Sequence, residues 1–141
     1  MIPAIFAAMN PGKYILCIDD DEDDCSLLGD ALHKNDPDYR LQFVKSGELA
    51  IILLREALEK KDLPDLIVLD INMPIMDGRA TLLEIKRLLG NNYVPLLFLT
   101  TTPRDEDLVL GESQGVTIMT KPRSLQGYDD VAKTIFDSML Q

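Results

Sequence analysis

The stretch Leu66-Ile67-Val68-Leu69-Asp70-Ile71-Asn72-Met73-Pro74-Ile75-Met76-Asp77-Gly78 opens with four aliphatic residues and then breaks into polar and turn-forming ones. Four apolar residues with nothing polar between them describe a strand covered on both faces, the habit of a parallel sheet. Pro74 and Gly78 read as turn formers. Two more runs of the same kind flank it, Ile15 to Ile18 ahead of Asp19 and Asp20, and Leu96 to Leu99 ahead of Thr100.

Working outward, two further segments alternate instead: Tyr39, Leu41 and Phe43 around Arg40 and Gln42, and Val116 and Ile118 around Thr117. Alternation predicts edge strands with one wetter face. Between the strands the apolar spacing turns helical. Leu27, Leu28, Ala31 and Leu32 form one stripe; Ala50, Leu53, Leu54, Ala57 and Leu58 a second; Leu82, Ile85, Leu88 and Leu89 a third. The last stripe is Leu125, Tyr128, Ala132, Ile135, Phe136 and Met139, and all four are read as core-facing surfaces. Asp105 to Gln114 is a weaker helix, with only Leu108, Val109 and Leu110 as large apolar residues before Gly111 interrupts, and is expected to be loosely held. Strand and helix thus alternate five times. Right-handed crossovers turn such a (βα)5 order into a doubly wound parallel five-stranded sheet with helices on both faces. With the alternating strands at the edges, the order is 2-1-3-4-5.

The chain has 141 residues, one domain's worth, with 24 acidic and 14 basic side chains and a formal charge of −10. That balance argues against a direct nucleic-acid role, because phosphate backbones are gripped by clustered Lys and Arg. Cys17 and Cys25 read as buried thiols rather than a disulfide framework. Residues 1–12 are apolar at first but lack the basic lead and long apolar region of a signal peptide, and are too short to span a membrane. They are expected to form an N-terminal extension outside the fold, with 13–141 as the domain and a cytoplasmic location as the default. With the fifth helix the sequence ends, so no output domain is expected to follow. The single histidine, His33, has no acid-base or metal partner pattern.

In an open parallel sheet, functional residues collect beyond the carboxyl ends of the strands. Here those ends carry Asp19 and Asp20, Asp70 and Asn72, Thr100, and Lys121-Pro122. Three converging carboxylates must raise a pKa or take up a cation, and an oxygen-rich cluster without sulfur or histidine suits a hard ion such as Mg²⁺, with Mn²⁺ as a substitute. In that reading Asp20 binds the ion directly, Asp19 directly or through water, and the Asn72 backbone carbonyl joins Asp70. The competing reading is a solvated acidic loop, because Asp19 to Asp24 are six acids in a row. An EF-hand calcium loop fails, since Asp24 and Asp30 stand where that loop needs Gly and Glu. Asp21 to Asp24 are expected to cap and charge-match the first helix.

The pieces Ile15 to Asp20, Leu66 to Gly78, Pro95 to Thr100 and Lys121-Pro122 closely resemble the signature segments of two-component response-regulator receivers, over about Tyr14 to Leu140. The resemblance implies a flavodoxin-like receiver fold and a nucleophilic carboxylate at Asp70. That carboxylate would accept a phosphoryl group from a sensor histidine kinase or a histidine phosphotransfer protein. Mg²⁺, Lys121 and Thr100 would each take one equatorial oxygen of the transferred group. The domain would then signal to a downstream protein or pass the phosphoryl group on, with no nucleic acid or membrane partner and no turnover of external substrates. Two rivals stand beside this reading. One is an aspartate-nucleophile phosphohydrolase, for which Asn72 is a poor second carboxylate; the other is a docking-only receiver. Family members commonly have a cis bond before the proline after the site lysine, which sets the same expectation for Lys121-Pro122. They also often carry an aromatic switch residue three positions before that lysine; here the position is Ile118, so switching is expected to run through Thr101 to Arg104 and the helix that follows.

Overall fold

Five strands and five helices alternate along residues 13–140, the part of the chain that the computed structural model describes. The extension 1–12 and Gln141 lie outside the described residues. The strands are β1 (Tyr14–Ile18), β2 (Arg40–Val44), β3 (Leu66–Leu69), β4 (Leu96–Thr100) and β5 (Thr117–Thr120). The helices are α1 (Glu22–Asn35), α2 (Gly47–Lys60), α3 (Gly78–Leu89), α4 (Asp105–Gln114) and α5 (Leu125–Ser138). All neighbouring strands pair in parallel, in the order β2-β1-β3-β4-β5. This is the doubly wound, flavodoxin-like order that the sequence predicts.

The period of two in the three central strands divides the core into layers. Leu16, Ile18, Ile67, Leu69 and Phe98 point to one face, where Ala50 and Leu54 of α2 and Leu82 and Ile85 of α3 cover them. Ile15, Cys17, Leu66, Val68 and Leu97 point to the other, under Leu28 and Leu32 of α1 and Tyr128, Ala132 and Ile135 of α5. Each of these larger side chains contributes about 1.5–3 kcal/mol by leaving water. Polar caps start four of the helices: the side chains of Asp21, Ser46, Asp77 and Ser124 each accept a backbone N–H from the first turn.

Several details depart from the sequence reading. Leu125 is 69% exposed, and Val131 takes a buried place on α5 that the stripe did not include. In α4 the apolar Leu108 and Val109 face outward, while Asp107 and Gly111 are the buried residues. A Cβ at Gly111 would press on the Val116 carbonyl and the Ile118 side chain, so this helix lies close on β5 through a missing side chain. Ile118 packs into the layer beneath it. β5 begins at Thr117 rather than Val116, whose N–H instead closes the end of α4 on the Gly111 carbonyl. The Lys121–Pro122 bond is trans, as are all peptide bonds among the described residues. The trans isomer is favoured by about 0.5–1 kcal/mol in an X–Pro amide, and with it Lys121 already reaches the acidic cluster. Cys17 and Cys25 are free and buried, as expected, with their sulfurs 2.6 Å apart between β1 and α1.

Candidate functional site

Register brings the strand ends together. Ile18 pairs with Leu69, so Asp19 and Asp70 leave the sheet side by side; Thr100 pairs with Thr120, one residue before Lys121. One carboxylate oxygen each from Asp19, Asp20 and Asp70 lies within 4.8 Å of the others. Asp19 and Asp70 are buried, at 4% and 6% exposure, and Asp20 is exposed. The donor set is all oxygen, which fits a hard divalent cation.

The loop after Asp70 is held tightly. The Gly78 N–H donates to the Ile71 carbonyl at 2.7 Å, and a Cβ on Gly78 would collide with the backbone of Asp70 and Ile71. Glycine is therefore required here by close approach, and it fixes the start of α3 against the candidate nucleophile.

The electrostatics follow from burial. Loss of water pushes the Asp19 carboxyl up to about 6, with the Asp70 charge adding to the rise and the bond to Lys121 opposing it. Burial likewise raises Asp70, against the pull of Lys121. For Lys121 burial works against the charge, but bonds to Asp19 and Asp24 outweigh it and hold the ammonium above its ordinary value. Its Nζ lies 2.7 Å from Asp19, 2.8 Å from Asp24 and 3.7 Å from Asp70. The cation is shared among three anions rather than paired with Asp70.

Thr100 is fully buried at the end of β4, and its hydroxyl accepts a hydrogen bond from the Asn72 side-chain amide at 3.3 Å. Arg104 in turn donates to the Asn72 side-chain oxygen at 3.5 Å. The sequence reading assigned Asn72 a role through its backbone carbonyl alone, and missed this side-chain link. It also missed Asp24, which it gave to helix capping. Asp21 is indeed the cap, but Asp24 turns inward to Lys121 and to the Tyr128 hydroxyl, 3.4 Å away. Asp24 shares helical spacing with Leu28 and Ala31, but it lies within six consecutive acids, which hide that pattern.

Asp19, Asp20, Asp70 and Lys121 thus converge at the strand ends, and a similarity to known proteins extends along the chain. A model of the response regulator receiver domain matches residues 15–128. The chain belongs to that family. Response regulator Rcp1 of Synechocystis sp. is 32% identical over 120 residues, covering 83% of this chain and 82% of the relative. The probable methanogenesis regulatory protein FilR2 of Methanothrix harundinacea is 28% identical over 123 residues, covering 86% and 77%. Among solved structures, the phosphorylated cyanobacterial phytochrome response regulator RcpA superposes with a TM-score of 0.81 at 28% identity, covering 92% of this chain and 95% of that one. The Mn²⁺-bound form of Rcp1 gives 0.74 at 28% identity with the same coverage. This receiver is therefore a domain of two-component signalling. Among the described residues no helix is long and apolar enough to cross a membrane.

Proposed function

We propose that this receiver accepts a phosphoryl group on Asp70 from a phosphohistidine of a sensor kinase or phosphotransfer protein, in the cytoplasm, and then signals by protein contact or onward transfer. The observation that carries the reading is the cluster itself: a buried Asp70 carboxylate with Asp19 and Asp20 within 4.8 Å and the Lys121 ammonium at 3.7 Å. In the transfer, an Asp70 oxygen forms the new bond to phosphorus as the bond to the imidazole nitrogen breaks, and the imidazole leaves with the electron pair. Lys121 and the Thr100 hydroxyl neutralise and orient two of the equatorial oxygens. Asp19, Asp20, Asp70 and the Asn72 backbone carbonyl would hold Mg²⁺, or Mn²⁺ in its place. When bound, the ion supplies charge neutralisation for the third oxygen. The raised Asp19 supports this fit, because crowded buried carboxylates are relieved by a cation.

Incubation with phosphoramidate or acetyl phosphate and Mg²⁺ tests the reading. The expected result is an acid-labile, hydroxylamine-sensitive phosphoryl group that is absent in Asp70→Asn, since an amide is no nucleophile here. Undiminished labelling of that variant would sink the proposal. Sustained phosphate release from many substrates would instead favour a phosphohydrolase, and an inert wild-type protein a docking-only receiver.

A further inference from the structure

Lys121 makes hydrogen-bond-length contacts to Asp19 and Asp24 but sits 3.7 Å from Asp70, beyond hydrogen-bond length. We propose that Asp24 is a positioning residue that holds the Lys121 ammonium back from Asp70 until a phosphoryl group competes for it, and that Asp24, once released, tightens on Tyr128 and so informs α5. The inference rests on the reading of Asp70 as phosphoacceptor and assigns a role that the acceptor chemistry alone does not require.

Three observations support it. An ammonium has three donors, and two of them are committed to Asp19 and Asp24. Asp24 lies in the first turn of α1, where the helix dipole favours an anion, so it tolerates the loss of its cation. The Tyr128 hydroxyl stands 3.4 Å from the other Asp24 oxygen, long for an O–H···O bond and free to shorten, while its ring is buried at 3% exposure between α1 and α5. A phosphoryl group brings about two negative charges beside Lys121, against the single charge of Asp24. The flexible lysine stem then follows the stronger anion. The bland alternative is that Asp24 only neutralises a lysine whose side chain is largely buried.

The test compares beryllofluoride affinity at saturating Mg²⁺ in wild type and Asp24→Asn, together with the Tyr128 ring resonances on binding. Removing the competitor should tighten the mimic's binding about threefold or more and abolish the Tyr128 shift seen in wild type. A purely structural Asp24 predicts equal or weaker binding. A smaller gain, a loss, or a Tyr128 shift that persists overturns the proposal. Tyr128→Phe keeps the packed ring and serves if Asp24→Asn fails to fold. In it the α5 amide shifts on mimic binding should disappear, and their persistence is equally fatal. Asp70→Asn separates the two levels: beryllofluoride binding that survives it refutes the acceptor reading, whereas binding that needs Asp70 but ignores Asp24 refutes only this inference.

Discussion

Ile75 holds φ = 66° and is 97% exposed, in the loop between the candidate nucleophile and α3. A left-handed backbone costs an L-residue about 1–2 kcal/mol, and a β-branched side chain is especially unsuited to it. Glycine relieves that strain but adds freedom to the unfolded chain, so Ile75→Gly should stabilise the protein by a net of about 0.5–1 kcal/mol. A urea midpoint shifted upward at unchanged slope is the expected result; a lower midpoint would mean that the side chain is held by something other than solvent. Asp19 carries the opposite kind of cost. Its carboxyl is raised from 3.8 to about 6, so the folded metal-free protein holds this proton more tightly than the unfolded chain. The corresponding stability is fully present below about pH 4 and is lost as pH rises through about 6, on the order of 3 kcal/mol in all. Melting temperature in chelator should therefore fall more steeply from pH 4.5 to 7 in wild type than in Asp19→Asn, and saturating Mg²⁺ should flatten the difference. Equal slopes would remove Asp19 from the account. The residues Asp19, Asp20, Asp70, Thr100 and Lys121 were legible because each ends a strand or lies within two residues of its end. Asp24 was not, because within six consecutive acids charge alone cannot say which one turns inward.

At the scale of elements, β1, β3 and β4 were plain because strands buried on both faces leave uninterrupted apolar runs. β5 was read one residue early: Val116 is apolar because it lies under the end of α4, and its N–H is spent there. α4 gave the weakest pattern for a physical reason. It is fixed by the close approach of Gly111 and by the buried Asp107, whose carboxylate accepts the Arg104 N–H at 2.9 Å, and neither leaves an apolar stripe. The same helix is tied to the site through a short chain, Thr100 to Asn72 to Arg104, the residue immediately before α4. If the Thr100 hydroxyl is drawn to a phosphoryl oxygen, the Asn72 amide loses its acceptor and the Arg104 contact is disturbed. With Ile118 packed under α4, no ring is available to carry the signal at that position. Backbone amide exchange over Thr101 to Gln114 should accordingly change on beryllofluoride activation. Thr100→Ala should remove most of that change while Asp70 is still labelled. Exchange that is identical in both states, or indifferent to Thr100, rules out this route.

For the whole molecule the governing quantity is charge. The formal charge is −10, and Asp20, Asp21, Glu22, Asp23 and Asp24 line an open basin of about 540 Å³ beside the candidate site, with Lys121 as the cation among its described lining residues. A second groove, of about 590 Å³ beside β2 and α2, is lined by Leu49, Ile52 and Leu53 together with Lys45, Lys60 and Glu56, and lies away from the acidic trio. Under the proposed function, the basin would repel at long range the anion that Asp70 is to accept at short range. Such repulsion is screened by salt, because the Debye length shrinks from about 30 Å at 0.01 M to about 10 Å at 0.1 M. At saturating Mg²⁺, labelling by acetyl phosphate should accelerate about twofold to fivefold across that range, and labelling by the less charged phosphoramidate should accelerate less. A protein donor that presents a basic face around its phosphohistidine should show the reverse, slowing as salt rises, because attraction is what the salt then screens. The two signs together separate the field of the basin from a general effect of salt on the chemical step, which would move every donor in the same direction. Parallel responses from all three donors would mean that the basin's charge does not govern encounter.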